Sequence, residues 1–270
     1  MHTKNELRNK LKTITCFALD LDGTTYLGNS VFPFTHDFLQ IVQKTGRKFL
    51  FVTNNSSKVP IDYVMKFKGF GLSVKAEQIY TSADATIEFL KTRNNIQKLF
   101  ILGTEPLIAY FCEHGFTLEN EQPDAIVLGF DLDFNYDRFH KATNFLRRGI
   151  PFFATHPDFT CPMENGEVLP DCGAMTAALT AATGIKPVVL GKPYQSMFDG
   201  ILQRMNCAPQ NMAIVGDRLM TDIEFGKKNN VLSILVLSGE TDLGMLNESE
   251  IIPDIVVESL EVLIPFLIEH

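Results

Sequence analysis

The stretch Phe17-Ala18-Leu19-Asp20-Leu21-Asp22-Gly23-Thr24-Thr25 decides how the chain is interpreted. The apolar run from Ile14 to Leu19 predicts a buried strand, and two carboxylates follow it, Asp20 and Asp22. Residues two apart in an extended chain point to the same side. Two like charges at the end of a buried strand repel each other unless a cation or a proton-transfer role compensates them. The sequence therefore predicts a functional site at this pair.

Composition excludes several classes of protein. The chain has 270 residues, 45% of them hydrophobic, which is enough for one large or two moderate domains. The net charge is −8 and the sequence has no long block of Lys and Arg, which argues against binding to nucleic acid or to an anionic membrane surface. We expect neither a signal peptide nor a membrane-spanning segment, because the polar residues Met1 to Lys12 contain no apolar core and no run of about 18 apolar residues occurs elsewhere. The five cysteines lack C-x-x-C spacing, which favours reduced thiols in a cytoplasmic protein.

Strand-like and helix-like segments alternate along the whole chain. Nine short apolar runs predict strands: Ile14 to Leu19, Phe49 to Val52, Leu99 to Leu102, Ala125 to Leu128, Pro151 to Ala154, Val188 to Leu190, Met212 to Val215, Ser233 to Leu237 and Ile255 to Val257. Segments with helical spacing separate them. This alternation predicts an α/β fold, with a Rossmann-like three-layer core around a parallel sheet and an inserted second α/β domain. We place the core at residues 1–80 and 188–270 and the insertion at residues 81–187, with hinges near Thr81-Ser82 and Gly184 to Pro187.

Five of the predicted strands end in polar residues. These endings are Asp20-Leu21-Asp22, Thr53-Asn54-Asn55, Thr155-His156-Pro157-Asp158, Gly191-Lys192 and Gly216-Asp217. Because ligands of open α/β sheets bind outside the carboxyl ends of the strands, the site is expected there.

The residue types at these strand ends fit phosphoryl transfer to a carboxylate. Such a reaction needs a nucleophile, a divalent cation and donors around the phosphate. Asp20 could serve as nucleophile and metal ligand, and Asp22 as general acid. Asp217 suits Mg²⁺, which takes one or two carboxylates together with water and substrate, and Asp222 would orient those ligands.

Three further residues could bind the phosphate. Thr53 and Asn54 can donate hydrogen bonds, and Lys192 supplies a positive charge. Taken singly, each motif also has a plainer interpretation: a surface turn for the Asp pair, an ordinary turn for Thr53-Asn54, a surface lysine for Lys192, and a helix-terminal charge for Asp222. The order in which the motifs occur is what favours the functional interpretation.

That order resembles the four motifs of the haloacid dehalogenase superfamily of phosphatases. The motifs are Asp-x-Asp-Gly-Thr at residue 20, Thr-Asn at 53, Gly-Lys-Pro at 191 and Gly-Asp-x-x-x-Thr-Asp at 216. The chain is most similar to the branch with a large α/β cap, the para-nitrophenylphosphatases and NagD-like sugar or nucleotide phosphatases. Additional segments that carry this resemblance are Ala154-Thr155-His156-Pro157-Asp158, Pro170-Asp171-Cys172-Gly173-Ala174 and Leu237-Ser238-Gly239-Glu240.

The resemblance implies a role for each motif residue. It implies Asp20 as the phosphoaspartyl nucleophile and Asp22 as the acid/base. The Mg²⁺ ligands would be Asp20, the backbone carbonyl of Asp22, and Asp217, with Asp222 supporting them. Thr53, Asn54 and Lys192 would bind the phosphate.

The expected substrate contacts from the inserted domain are His156 and Asp171. His156 departs from the family pattern, which usually has Asn there, and Asp171 lies in a loop that resembles the family's specificity loop. His156 could equally be a loop histidine without a role, and Asp171 could serve only the dipole of the Ala-rich helix that follows.

The sequence therefore predicts a cytoplasmic, Mg²⁺-dependent phosphomonoesterase that acts on small phosphorylated metabolites. A phosphotransferase or mutase on the same scaffold is one alternative, and a phosphate-ligand sensor without turnover is another. The expected partner is a small phosphomonoester, with neither nucleic acid nor membrane. A homodimer through the cap stays open, since cap domains of this branch often mediate dimers.

Overall fold

The computed structural model describes residues 3–163 and 167–268. The chain divides into two compact units. The first unit comprises Met1–Val52, Val64–Tyr80 and Phe198–His270, and the second comprises Thr53–Tyr63 and Thr81–Met197.

Strands and helices alternate as the sequence pattern predicts. The strands are β1 (Cys16–Leu19), β2 (Tyr26–Leu27), β3 (Ser30–Val31), β4 (Lys48–Thr53), β5 (Ile79–Thr81), β6 (Lys98–Leu102), β7 (Thr117–Leu118), β8 (Ala125–Leu128), β9 (Phe152–Ala154), β10 (Thr160–Pro162), β11 (Val168–Pro170), β12 (Val188–Val189), β13 (Met212–Gly216), β14 (Leu232–Val236) and β15 (Ile255–Val257). The α-helices are α1 (Lys4–Leu11), α2 (Pro33–Lys44), α3 (Pro60–Gly69), α4 (Ser82–Lys91), α5 (Glu105–Glu113), α6 (Tyr136–Arg147), α7 (Cys172–Thr183), α8 (Gln195–Met205), α9 (Glu224–Lys228), α10 (Leu243–Glu248) and α11 (Ile264–Ile268). Single turns of other helix types lie at Ala76–Gln78, Pro209–Asn211, Leu219–Ile223 and Leu260–Leu263.

The six-stranded sheet has the order β15-β14-β13-β1-β4-β5. β1 pairs in parallel with β13 on one side and β4 on the other. Every residue of β1 and β13 is buried, which is why both strands are continuously apolar. The adjacent carboxyl ends of β1 and β13 place Asp20 and Asp217, the residues that follow them, at one edge of the sheet.

The second unit contains a five-stranded sheet of order β12-β9-β8-β6-β7, in which neighbouring strands run parallel. Alternate residues of β6 enter two different cores. Leu99 and Ile101 pack with residues of α4 and α5, whereas Phe100 and Leu102 pack with residues of α6 and α7. Helices therefore cover both faces, so the predicted α/β class with parallel sheets is confirmed.

The division between the units falls at other residues than the predicted domain boundaries. We predicted that the core resumes at residue 188, but Val188 and Val189 pair with Phe153 and Ala154 of β9. The segment Thr53–Tyr63, which begins at the last residue of β4, also groups with the second unit. Two hydrogen bonds hold it there: Ser56 Oγ to Thr155 Oγ1 at 3.0 Å and Thr104 Oγ1 to the Ser57 carbonyl at 2.9 Å.

All nine predicted strands form, while several shorter ones were not predicted. The hairpins β2-β3 and β10-β11 have only two or three residues a strand. In β10 and β11 the outer residues are exposed, so they lack the apolar run that marks a buried strand. Within residues 3–163 and 167–268, no helix is both long and apolar enough to cross a membrane.

Candidate active site

Asp20 and Asp22 lie just beyond β1. The Asp20 amide donates to the Val215 carbonyl at 2.8 Å, so the ladder with β13 extends one residue past the strand. Asp20 is partly buried, and Asp22 is exposed. The Tyr26 hydroxyl donates to Asp22 Oδ2 at 3.0 Å. Gly23, at φ +82°, turns the chain so that its amide bonds the Tyr26 carbonyl at 2.8 Å.

Two further carboxylates join Asp20 from the end of β13. Asp217 is 2% exposed and Asp222 is 1% exposed. One ligand atom from each of Asp20, Asp217 and Asp222 lies within 4.8 Å of the others. Burial raises the pKa of Asp217 well above its ordinary value, and the Asp222 carboxylate raises it further. The cluster is therefore electrostatically unfavourable as long as nothing neutralises it.

Glycines let the backbone approach these carboxylates. A Cβ on Gly23 or Gly239 would collide with the Asp217 side chain, and one on Gly216 would collide with Asp222. The Glu240 amide donates to Asp217 Oδ2 at 2.6 Å. The loop after β14 thus holds one carboxylate oxygen of Asp217 by a backbone hydrogen bond.

The other oxygen of Asp217 identifies what the cluster lacks. Among the described residues, Oδ1 of Asp217 is buried and has no hydrogen-bond partner. A buried carboxylate oxygen without a partner is costly. Oxygen ligands supplied by carboxylates are those that Mg²⁺ prefers. The residues present therefore fit a hard divalent cation held by Asp20 and Asp217.

The predicted phosphate-binding residues all belong to the second unit. Thr53 ends β4 and is 5% exposed, and its Oγ1 accepts from the Asn55 amide at 3.1 Å. Asn54 is also 5% exposed, and its side-chain amide bonds the backbone of Lys192. Lys192 itself is 3% exposed. The structure thus brings Asn54 and Lys192 together, although they lie 138 residues apart in sequence.

His156 and Asp171, the predicted substrate contacts, bond each other. His156 Nε2 lies 3.0 Å from Asp171 Oδ1, and both residues are buried. The second ring nitrogen, Nδ1, lies 2.9 Å from Thr155 Oγ1. Asp171 also caps α7, since its Oδ1 accepts from the Cys172 amide at 2.6 Å. Both ring nitrogens of His156 are engaged here, and direct substrate contact by this pair stays a prediction.

Two contributions to the site were not predicted from the sequence. Asp158 Oδ1 and Oδ2 each lie 3.3 Å from Asn54 Nδ2, a contact between residues 104 positions apart. The Glu240 amide acts as a donor to Asp217, which no side-chain pattern reveals. The sequence did contain one indication of the Glu240 contact: the segment Leu237-Ser238-Gly239-Glu240, in which a predicted strand ends and a glycine follows.

Comparison with known proteins agrees with this arrangement. A haloacid dehalogenase-like hydrolase model matches residues 17–117, and a second HAD-like hydrolase model matches residues 189–263. The ribonucleotide monophosphatase NagD of Escherichia coli is 33% identical over 86% of this chain and 90% of its own length. The chain belongs to the haloacid dehalogenase-like hydrolases.

Solved structures narrow the assignment within that family. A 4-nitrophenylphosphatase from Thermotoga maritima superposes with a TM-score of 0.92 at 40% identity, covering 95% of this chain and 98% of that one. A glycerol phosphate phosphatase from Mycobacterium tuberculosis, crystallised with magnesium, has a TM-score of 0.86 at 29% identity and covers 94% and 77%. The chain is a phosphatase of the NagD-like and 4-nitrophenylphosphatase branch, as the motif order predicts.

Proposed function

We propose that this phosphatase is a Mg²⁺-dependent phosphomonoester hydrolase that works through an aspartyl-phosphate intermediate. The observation that carries the proposal is that Oδ1 of Asp217 is buried without a hydrogen-bond partner in residues 3–163 and 167–268, within a cluster of ligand atoms that includes Asp20. Asp20 and Asp217, with the backbone carbonyl of Asp22, would hold the cation. Asp222, which accepts from the Arg218 amide at 3.2 Å, would support Asp217.

Asp20 is the proposed nucleophile. One of its carboxylate oxygens attacks phosphorus, and the bond between phosphorus and the ester oxygen breaks. Asp22 donates a proton to that leaving oxygen, and the hydrogen bond from Tyr26 fixes the orientation of the Asp22 carboxyl group. When bound, Mg²⁺ supplies positive charge that offsets the charge of the phosphate and of the carboxylates.

Asp22 also serves the second half of the reaction. It takes a proton from a water molecule whose oxygen attacks phosphorus, and the bond between phosphorus and Asp20 breaks. Asp20 returns to a carboxylate, and inorganic phosphate is released. The two roles of Asp22 are opposite steps of one proton exchange, so a single carboxyl group is sufficient for both.

Phosphate binding is assigned in this proposal to Thr53, Asn54 and Lys192. The relatives are named for ribonucleotide, nitrophenyl and glycerol phosphates, which supports small phosphomonoesters as the substrate class. All five cysteines are in the thiol form, which supports a cytoplasmic location.

The direct test measures phosphate release from 4-nitrophenyl phosphate and from a panel of sugar and nucleotide monophosphates. Each substrate is assayed with Mg²⁺ and with excess chelator, for the native chain and for Asp20→Asn. Asp37→Asn is the matched control, because this carboxylate is 74% exposed on α2. We expect Asp20→Asn to lower kcat by at least about 10⁴-fold, since it removes the nucleophile. Release by Asp20→Asn at the native rate would contradict the mechanism.

The intermediate can be tested with Asp22→Asn. Without a general base, hydrolysis of the aspartyl phosphate should slow, so that labelled phosphate accumulates on Asp20. The measurement is trapping of the acyl phosphate by reduction, followed by mass spectrometry of the peptide. Turnover without reduction of the Asp20 side chain to the alcohol would indicate direct attack by water. Transfer of label to an added sugar in preference to water would favour the phosphotransferase alternative.

A further inference from the structure

The side chain of Asn54 holds the backbone on both sides of Lys192. Asn54 Oδ1 accepts from the Lys192 amide at 2.8 Å, and Asn54 Nδ2 donates to the Lys192 carbonyl at 3.1 Å. This pair of hydrogen bonds resembles the pairing of two strands, with a side-chain amide in the place of a peptide group. It fixes the position of the Lys192 Cα, from which the ammonium group extends.

Close packing around Gly191 makes this contact tight. A Cβ at residue 191 would lie 2.5 Å from the Thr155 carbonyl and 2.6 Å from Asn54 Oδ1. Because residue 191 is glycine, the backbone at Gly191 and Lys192 can lie against the side-chain amide of Asn54. On the other side, Ser82 Oγ donates to the Asn54 carbonyl at 2.5 Å. The backbone of Asn54 is thus held independently of its side chain.

Asp158 contacts the same amide group. Its two carboxylate oxygens both lie 3.3 Å from Asn54 Nδ2, which carries two hydrogens. One hydrogen points to the Lys192 carbonyl and the other to Asp158. Because a carboxylate can only accept, it requires the NH₂ end of Asn54 on its side and so selects one of the two amide orientations. The opposite orientation would place an oxygen against the Asp158 carboxylate and an NH₂ group against the Lys192 amide.

We propose that Asp158 is a positioning residue that acts through Asn54 to hold Lys192 in place for phosphate binding. This inference rests on the proposed function of Lys192. The backbone of Asp158 has a separate structural role, since its carbonyl accepts from the Gly173 amide at 2.8 Å. Substitution of the side chain leaves that bond unchanged, so the two roles can be separated.

The experiment compares Asp158→Ala with Asp158→Asn. The measured quantities are KM for 4-nitrophenyl phosphate and the inhibition constant of inorganic phosphate, both with saturating Mg²⁺. We expect Asp158→Ala to raise both constants about 10-fold, because displacement of a binding group by a fraction of an ångström is costly. Asp158→Asn retains an acceptor oxygen and should stay within about 3-fold of the native values.

A second measurement tests whether the effect passes through Lys192. In a Lys192→Ala background, Asp158→Ala should not raise the phosphate inhibition constant any further. Asp124→Ala is the control for general damage to the second unit. The Asp124 carboxylate accepts hydrogen bonds from the backbone amides of Gln97 and Lys98 at 2.9 and 2.7 Å, at the start of β6. Removal of this carboxylate should leave KM and the phosphate inhibition constant unchanged.

The outcomes separate this proposal from the proposed function. Two results would overturn the positioning role. One is a phosphate inhibition constant in Asp158→Ala equal to that of the native chain. The other is that Asp158→Ala raises this constant by the same factor with Lys192 present and in the Lys192→Ala background. A native chain that releases no phosphate would instead overturn the proposed function. Hydrogen exchange of the Lys192 amide gives a readout without activity, and it should accelerate in Asp158→Ala and not in Asp124→Ala. If Asp158→Ala does not fold, Asp158→Ser is measured and judged by the same criteria.

Discussion

Among the described residues, two separate clusters each bring metal-ligating side-chain atoms within 4.8 Å of one another. The two clusters differ in whether those atoms have hydrogen-bond partners. The first consists of Asp20, Asp217 and Asp222, and the second of His156, Asp158 and Asp171. In the first, a buried carboxylate oxygen has no partner among the described residues. In the second, His156 bonds Asp171 and Asp158 contacts Asn54.

The difference shows that proximity of ligand atoms does not by itself make a metal site. The second cluster pairs a histidine with a carboxylate, so opposite hydrogen-bonding capacities satisfy each other. The first contains carboxylates alone: burial raises the pKa of Asp217, and the neighbouring Asp222 carboxylate raises it further. The donor set of the first cluster therefore fits a cation, whereas in the second cluster His156 and Asp171 already satisfy each other.

The largest effect is expected for Asp217→Asn, which removes a proposed cation ligand and the like-charge repulsion together. Without metal, this variant should melt at a higher temperature than the native chain, because a neutral amide replaces a carboxylate whose ionised form is disfavoured. With Mg²⁺, the native melting temperature should rise and that of the variant should not. Thermal unfolding over a Mg²⁺ titration measures both. Asp171→Asn should retain the Mg²⁺ response, and its loss there would place the cation in the second cluster.

A smaller effect is expected when the second cluster is broken. His156→Ala leaves the buried Asp171 without its imidazole partner, which should lower the free energy of unfolding by about 3 kcal/mol. Urea denaturation measures the loss. His156→Asn, which restores the residue that the resemblance predicts, keeps a donor and should recover part of it. An unchanged midpoint in His156→Ala would mean that the pair contributes nothing to stability.

The smallest effect concerns Cys172, which adjoins Asp171 in the second cluster. Burial raises the pKa of its thiol to about 12, so almost no thiolate exists at pH 8. We expect iodoacetamide at pH 8 to modify the exposed Cys112 and to leave Cys172 intact. Mass spectrometry of peptides measures both sites in one sample. Equal labelling would show that the second cluster opens in solution.

The sequence is sufficient to predict the centre of the first cluster because two of its carboxylates, Asp20 and Asp217, directly follow apolar strands. β1 and β13 are buried on both faces, so each reads as an unbroken apolar run with a clear end. Parallel strands bring their carboxyl ends to one edge, so the pattern of residues alone assigns Asp20 and Asp217 to one site. The catalytic roles of these residues stay predictions.

The second cluster could not be predicted in the same way. The side chains of Asp158 and Asn54 are in contact although the two residues lie 104 positions apart in sequence. No periodicity in the sequence predicts a contact between such distant residues. The sequence also could not predict the boundary near residue 188. The strand β12 has only two residues, and its apolar pattern does not indicate which sheet it joins; in the structure it pairs with β9. Local patterns predict where a strand lies, and the choice of neighbour depends on packing.

The glycines around the first cluster have a consequence for how this chain can vary. At positions 23, 216 and 239 even one added methyl group meets a carboxylate side chain. In a library that samples all twenty amino acids at each site, these three positions should return glycine alone. Gly46, Gly71 and Gly149 have open space around them and are constrained only by their positive φ, so they should accept asparagine. Selection data of this kind would delimit the active site without a single kinetic assay.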